Sequence, residues 1–406
     1  MQAKHIGLLV ATYIAVSALS FGGFRLALGT SGGSSVLNGL TGGSFENLIS
    51  PAVPKSQGGT GVDQSLPKTE ECPINGEKFT APERQAWEKK RPLFVMIENH
   101  PDARPQSGLG SADIVYEAVV EGGITRFMAG FYCAAQAKDV IVAPVRSARQ
   151  MFIDYASEYD FPLYAHVGGA NNYGNDGTDS RVRALEHLSD YKWSVNNDID
   201  GMGVSFPVFA RNYNRVPSRP DPATEHTMES STERLWTFAA SKRSLTNVDS
   251  KGVDWSKGFV KWAFADDAAE SARGSVKTVS YEFWSGLSAF AVKWDYDSTT
   301  NAYFRNMAGE KHIDMNDQKQ LVAKNVVILF EKEESSVDVH KHVYYTTIGT
   351  GKALVFQNGQ QIEATWSKKD RLGRLSLVDK KGQAIKFVRG KIWISVLPLN
   401  NTVTAQ

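Results

Sequence analysis

The sequence predicts an α+β protein, in which a mixed α/β N-terminal domain is followed by a smaller, β-rich C-terminal domain. In the first part, apolar runs typical of strands alternate with polar turns and with segments of helical periodicity. From Val276 to Pro398, short β-rich runs are separated by Gly, Asn and Asp turns, which predicts an antiparallel sheet or a small barrel. An uncharged apolar run from Ile6 to Phe24 precedes both parts. It predicts a transmembrane helix, because ~17–25 such residues can span a bilayer.

The length of 406 residues suits about two domains at the usual ~150 residues each. We expect a signal anchor over 1–30, a flexible linker over 31–70, the N-terminal domain over 71–245 and the C-terminal domain over 276–398. The linker is rich in Gly, Ser and Pro, a composition that buries too little surface to offset the entropy lost on ordering.

The N-terminal apolar run leaves two processing alternatives open. Lys4 on its near side favours an uncleaved anchor with a cytoplasmic N-terminus. Ala18-Leu19-Ser20 instead resembles a signal-peptidase site, and cleavage there would release the chain. Either way we expect most of the chain outside the cytoplasm, as a single-pass membrane protein or a secreted one.

Charge and cysteine content narrow the function classes. Lys and Arg (45) nearly equal Asp and Glu (44), which argues against a nucleic-acid partner. The two cysteines, Cys72 and Cys133, lie beyond the apolar run and could form a disulfide in an oxidising compartment or remain buried thiols. They do not have the spacing of a zinc site, and no cysteine closely follows the run to accept a lipid.

The elements of the N-terminal domain follow from local patterns. Thr80 is expected to cap a short helix that reaches Trp87, because Pro82 and Glu83 suit its first turn. We expect strands over Leu93–Ile97, Asp113–Glu121, Thr125–Cys133, Val140–Val145 and Phe161–Val167, the second and third of them as a hairpin. We expect helices after an N-cap at Ser147, from Asp179 or Ser180, and over Thr232–Ala240.

Two further patterns concern the environment of particular residues. Asp113, Glu117 and Glu121 fall on one face of the alternating strand, which predicts a solvated or salt-bridged sheet face. Gly349-Thr350-Gly351-Lys352 lacks the spacing of a phosphate-binding loop and is interpreted as a hairpin turn.

Four arginines at predicted strand ends or turns indicate an anion site. Arginine offers a planar fork to carboxylate or phosphate oxygens, and a helix N-terminus adds free N–H groups. The expected ligand-binding residues are Arg104, Arg126, Arg146, Arg149, His166 and His226. The alternative is that the arginines pair internally with Glu98, Asp113, Glu117 and Glu121.

A catalytic interpretation uses acidic and histidine residues of the same segment. Its candidates are Glu98, His100, Asp113 and His166. His100, His166 and His226 could act as a base or bind a metal if their loops converge, but nothing in their spacing requires this. We therefore predict no metal and no cofactor.

These motifs resemble the YerB-like lipoprotein family, a family of unknown function. The resemblance covers about Arg91 to Pro398 and is carried by Glu98-Asn99-His100, Arg104-Pro105-Gln106-Ser107-Gly108, Pro144-Val145-Arg146-Ser147-Ala148-Arg149, His166-Val167-Gly168-Gly169 and Glu225-His226-Thr227. It implies an envelope protein with an α+β N-terminal domain and a smaller β-rich C-terminal domain, and no established activity. The sequence departs from a typical lipoprotein start, because a peptide anchor stands where a lipidated cysteine is expected.

We therefore expect a membrane-tethered envelope protein that binds an anionic cell-wall component or an envelope partner through an arginine-rich pocket. One alternative is an envelope hydrolase or transferase that uses acidic and histidine residues of that pocket. The other is a scaffold whose C-terminal sheet edge docks a partner protein.

Overall fold

A computed structural model describes residues 65–136 and 138–406. The predicted anchor over 1–30 and nearly all of the predicted linker over 31–70 lie outside these ranges. None of the helices inside the two ranges has the length and apolar character needed to cross a bilayer. The described residues belong to one compact unit, and they confirm the mixed α+β class.

The helices and strands are short, as alternating apolar runs and turns require. The α-helices of the described residues are α1 Ala81–Trp87, α2 Gln150–Ala156, α3 Ala184–Asp190 and α4 Thr232–Arg243. The strands of the first half are β1 Glu70–Glu71, β2 Lys78–Phe79, β3 Leu93–Glu98, β4 Ile114–Val119, β5 Thr125–Phe131, β6 Ile141–Val142, β7 Leu163–His166, β8 Asp198–Asp200, β9 Ala210–Arg211, β10 Met228–Ser231 and β11 Ala263–Ala265. Those of the second half are β12 Thr278–Tyr281, β13 Val292–Asp297, β14 Ala302–Met307, β15 Glu310–Lys311, β16 Val322–Ala323, β17 Asn325–Glu331, β18 Glu333–Glu334, β19 Tyr344–Tyr345, β20 Gly349–Gln357, β21 Gln360–Lys368, β22 Ser376–Asp379, β23 Lys386–Val388, β24 Ile392–Pro398 and β25 Val403–Ala405.

A ten-stranded mixed sheet combines strands from both halves of the chain. Its order is β22-β21-β20-β17-β24-β4-β5-β3-β7-β8. The halves meet where β24 pairs in parallel with β4, with Ile392 opposite Ile114. A second, antiparallel sheet contains β15-β14-β13-β12-β25, with β16 on β14. Strands β6, β10 and β9 form a small separate sheet.

The large sheet is covered on both faces, so its central strands β4 and β5 are buried along their whole length. Side chains on β4 alternate between the faces. Tyr116 stacks on Tyr155 of α2, with ring centroids 5.0 Å apart. Next to it, Glu117 points the other way and forms a 2.8 Å ion pair with Arg305 of the second sheet. This layering places the core on both sides of β4 and β24.

The structure contradicts three of the expectations, which concern the solvated strand face, the N-cap at Ser147 and the hairpin turn at Gly349–Lys352. The predicted solvated face of Asp113–Glu121 is wrong, because β4 is buried along its whole length and Asp113 and Glu117 are fully buried. The salt-bridged alternative is confirmed for Glu117, which pairs with Arg305, and for Glu121, which pairs with Arg149. The N-cap at Ser147 is also wrong: helix α2 begins after Arg149, and no side chain caps it.

The hairpin turn predicted at Gly349–Lys352 is wrong as well. These residues begin strand β20, and the turn lies at Asn358-Gly359, where both residues have positive φ. Asn-Gly is the pair that a two-residue hairpin of this kind favours. The capping box at Thr80 and the hairpin of β4 and β5 are confirmed.

The two cysteines form a disulfide, Cys72–Cys133. It joins the segment before α1 to the end of β5 and settles the alternative that the sequence left open. Asp113 lies beside it and accepts hydrogen bonds from the backbone N–H groups of Tyr132 and Cys133, at 2.7 and 2.9 Å.

Candidate functional site

A cleft crosses the surface where residues 145–149 pass the loop 167–171. It consists of two adjoining cavities, of about 560 and about 310 Å³, which share Ser147, Gly169 and Asn171. Arg146 lines the larger cavity and Arg149 the smaller one. We call these two cavities together the arginine cleft.

The arginine cleft lies at the carboxyl ends of three parallel strands. Strands β3, β7 and β8 are parallel neighbours, and they end at Glu98, His166 and Asp200. In open α/β sheets, ligands bind outside the carboxyl ends of the strands, because connecting loops leave a crevice there. Residue Arg146 is held over this edge by its backbone N–H, which donates to the carbonyl of Met96 at 2.9 Å.

Glu98 connects two of the predicted binding residues. Its Oε1 accepts a 3.1 Å hydrogen bond from Arg146 Nε, and its Oε2 lies 2.9 Å from His226 Nδ1. Glu98 is buried, whereas the Arg146 side chain is 30% exposed and faces the cleft. The pairing fixes Arg146 through Nε and leaves the end of its guanidinium toward the cavity.

Arg149 is held by Glu121 at the other end of the cleft. Its Nε and Nη2 donate to the two carboxylate oxygens of Glu121. Burial alone would raise the pKa of Glu121, but the charge and hydrogen bonds of Arg149 hold that pKa at about 2. Glu121 therefore stays ionised, and much of the Arg149 charge is compensated.

Arg126 adds a buried positive charge beneath the cleft. It is 5% exposed and lies opposite Glu98 on the neighbouring strand β5. Its Nη1 donates to the carbonyl of Ser147 at 3.0 Å, and within residues 65–136 and 138–406 its Nε has no hydrogen-bond partner. Burial, followed by the nearby charge of Arg149, lowers the pKa of Arg126 to about 9, so the group is still charged at neutral pH.

Charges on the cleft wall do not all have one sign. Asp200 and Glu225 line the larger cavity together with Arg211. Asp200 Oδ1 accepts hydrogen bonds from the backbone N–H groups of Gly168 and Met202, at 2.8 and 2.9 Å, and these bonds stabilise the loop 167–171.

The structure places Arg104 and His166 in other roles than the sequence suggested. Arg104 donates to the side chain and carbonyl of Asn99 and lies over the ring of Phe290, 5.1 Å from its centroid. His166 is fully buried, with Nε2 2.6 Å from Asp198 and Nδ1 2.8 Å from the carbonyl of Gly168. Both partner oxygens are hydrogen-bond acceptors, so both ring nitrogens are placed to donate, as they do in a protonated imidazole. Against the effect of burial, Asp198 raises the pKa of His166.

Among the other proposed catalytic residues, Asp113 lies apart, whereas Glu98 and His100 both contact His226. Asp113 is buried beside the disulfide, and burial raises its pKa to about 7. His100 lies near His226: the two rings stack with centroids 5.0 Å apart. The convergence of His100, His166 and His226 is therefore limited to His100 and His226.

Sequence reasoning missed His342, which lines the smaller cavity. Its Nδ1 lies 2.7 Å from Asp338, and its Nε2 lies 3.7 Å from Glu121. The only local signal is the four-residue spacing of Asp338 and His342 in a loop of the β-rich half. That spacing gives no hint that the loop reaches the arginine cleft.

Comparison with known proteins relates the chain to a family of unknown function. Residues 79–246 match the model described as "Protein of unknown function (DUF3048) N-terminal domain", and residues 279–394 match the corresponding C-terminal domain. A Bacillus subtilis protein named as a candidate lipoprotein, YerB, is 28% identical over 82% of this chain and 91% of its own length. A crystal structure of YerB from Bacillus subtilis superposes with a TM-score of 0.63 at 26% identity, covering 83% of this chain and all of that one.

Proposed function

The chain belongs to the DUF3048 family, and we propose that it is an extracytoplasmic, membrane-associated protein that binds an anionic cell-wall component in the arginine cleft. The observation that carries the proposal is the buried guanidinium of Arg126. Within the described part of the chain it forms no ion pair, and its Nη1 donates to the carbonyl of Ser147, which lines both cavities. A buried cation is costly without a counter-charge, and an anion in the cleft would supply one.

The balance of charges supports this ligand class. Three guanidinium groups share two carboxylates, Glu98 and Glu121. Arg146 keeps part of its fork free, so a carboxylate or phosphate oxygen could accept from it in the geometry that arginine favours. The cavities are large enough for a small ligand or for one end of a polymer.

Three observations support a location outside the cytoplasm. The apolar run at the start of the sequence would direct export. The disulfide Cys72–Cys133 suits an oxidising compartment. The Bacillus subtilis relative is named as a candidate lipoprotein. Since the two cysteines of this sequence are joined to each other, we propose that the peptide anchor over 1–30 provides the attachment.

Calorimetric titration of the purified full-length protein tests the binding proposal. The probes are inorganic phosphate, a glycerol phosphate oligomer and a peptide with a free C-terminal carboxylate. We expect Arg146→Ala to weaken binding of the preferred probe at least ~10-fold, the effect of losing one charged hydrogen bond of ~1.5–3 kcal/mol. Arg126→Met should also weaken it, because it removes the buried positive charge that the anion compensates. Arg243→Ala, at the C-terminal end of α4 and outside both cavities, is the matched control and should bind like the wild type. Unchanged affinity in both cleft variants would contradict the proposal.

A second candidate function, hydrolysis or group transfer on the same ligand, is favoured by His342. A histidine whose Nδ1 is oriented by a carboxylate presents Nε2 as a base, the arrangement used in many hydrolases. Incubation of wall fragments with the protein, followed by mass spectrometry, tests this function. Turnover by the wild type that His342→Gln abolishes, with binding retained, would establish it.

A further inference from the structure

We propose that His100, Asp102 and His226 bind a divalent transition-metal ion, with Zn²⁺ the best fit. Each of the three residues offers one ligand atom, and these atoms all lie within 4.8 Å of one another. The inference goes beyond the anion site, and it departs from the sequence-based prediction of no metal.

The two histidines come from distant parts of the chain. His100 precedes the 3₁₀ turn Pro101–Ala103, and His226 ends the 3₁₀ turn Thr224–His226. Their rings lie nearly parallel, 16° apart. With their centroids 5.0 Å apart, the stacked rings hold their nitrogen lone pairs in nearly parallel planes, so the rings would turn out of the stack to bind one ion.

Glu98 supports the proposed metal site by contacting the Nδ1 side of the His226 ring. Its Oε2 is 2.9 Å from His226 Nδ1, and it is itself fixed by Arg146. A carboxylate that accepts from Nδ1–H places the lone pair on Nε2. Metal-binding histidines usually have such an outer carboxylate, which orients the ring and makes the ligand nitrogen more basic. Since Glu98 is not one of the three proposed ligands, its contact with His226 is a second observation in favour of a metal-binding role for this histidine.

The loop that carries His100 and Asp102 is held by arginines that bind its backbone. Arg219 donates to the carbonyl of Pro101, and Arg215 donates to the carbonyls of Ala103 and Pro105. The backbone of this loop is therefore fixed by contacts from outside the three proposed ligands, which supports the positions of His100 and Asp102. Within the loop, the backbone N–H of Asp102 donates to His100 Nδ1 at 3.2 Å, a contact that an ion on this nitrogen would replace.

The donor set selects the type of metal. Two imidazoles and one carboxylate suit Zn²⁺ and its neighbours better than Mg²⁺ or Ca²⁺, which prefer oxygen ligands. Asp102 is largely exposed, with 74% of its side chain accessible, so a fourth position would open to solvent. Three protein ligands with an open fourth position are typical of zinc sites that bind a water or a substrate group.

Titration calorimetry of metal-stripped, full-length protein tests the site. With zinc chloride we expect one ion per chain, and with magnesium chloride no comparable heat. His100→Gln and Asp102→Asn, which have no contact with the arginine cleft, should each weaken zinc affinity by at least the ~10–100-fold that loss of an outer partner causes. His187→Gln, a half-buried histidine on α3, is the matched control and should bind zinc like the wild type.

Three outcomes would overturn the inference. They are the absence of zinc binding by the wild type, zinc binding that survives both His100→Gln and His226→Gln, and equal affinity for magnesium. Thermal melting of each variant without metal separates lost binding from lost folding. A folded variant should also fail to gain the rise in melting temperature that zinc gives the wild type.

Discussion

At the scale of single residues, Glu98 shows how one buried carboxylate can serve two neighbouring sites. Its two oxygens contact Arg146 in the arginine cleft and His226 in the proposed metal site. The sequence left open whether the arginines pair internally or face a ligand. In the structure Arg149 is paired, Arg146 is partly paired, and Arg126 has no carboxylate partner among the described residues, so internal pairing accounts for only part of the set.

Glu331 supplies a prediction about pH. It is fully buried at the end of β17, and its Oε1 accepts from the hydroxyl of Tyr155. Burial, together with the charges of Asp154 and Glu158, raises the pKa of Glu331 to about 8, from an ordinary value of 4.5. The folded state therefore holds a proton that the unfolded state releases between these two pH values.

This carboxyl thus stabilises the fold fully below about pH 4.5, and the contribution is lost as the pH rises to about 8. Glu331→Gln should remove up to about 1.4 kcal/mol per pH unit from the slope of unfolding free energy across that window. Urea unfolding at pH 5, 6, 7 and 8 measures it, with the exposed Glu310→Gln as control. A slope equal to that of the wild type would show that Glu331 is ionised when folded.

At the scale of elements, the buried pair of Glu117 and Arg305 joins the two main sheets. Both side chains are inaccessible to solvent, and the guanidinium of Arg305 lies 4.5 Å from the ring centroid of Trp393. Trp393 Nε1 also donates to Glu117, at 3.2 Å. The ion pair, packed against aromatic rings, therefore links strands β4, β14 and β24 at one point.

Arg305→Leu should lower the free energy of unfolding by about 3–5 kcal/mol, because it leaves Glu117 buried without its counter-charge. The double variant Glu117→Leu, Arg305→Leu should be less destabilised than this single one, since it leaves no buried charge. Lys380→Ala, in an exposed pair with Glu363, is the control and should cost about 0–1 kcal/mol. Chemical denaturation measures all three, and a single variant no worse than the control would refute the role of the pair.

At the scale of the whole molecule, the large sheet makes the two halves of the chain interdependent. Strands β17 and β24 come from the second half and continue the sheet formed by β4, β5, β3, β7 and β8. Without β17 and β24, β4 would become an edge strand. Its six residues, all buried in the full-length protein, would then lie along an unpaired edge. Exposed apolar edge strands favour aggregation over folding.

A chain that ends at residue 275 should therefore fail to fold, even with the disulfide intact. The full-length protein should unfold in one cooperative transition, seen at the same temperature by circular dichroism and by tryptophan fluorescence. The fragment should show no such transition and should aggregate. Two separate transitions in the full-length protein, or a soluble folded fragment, would contradict this expectation.

Local features of the fold could be predicted from the amino-acid sequence. Apolar runs bounded by turn residues located β3, β4, β5 and β7, and the Thr80 capping box located α1, because these signals depend on residues close together in the chain. The shared motifs also indicated the family. The turn at Asn358-Gly359 also carries a clear local signal, whereas the Gly-rich pattern at Gly349–Lys352 indicates a turn where β20 begins.

Which strands share a sheet and which charges share a partner could not be predicted in this way. Residues Ile114 and Ile392 are neighbours in the large sheet, and Glu117 finds Arg305, although each pair is far apart in the chain. Alternation along one strand cannot reveal whether its polar face meets water or a second sheet. The reason is physical: hydrogen-bonding pattern and propensity are local, whereas burial and ion pairing depend on which distant surfaces come together.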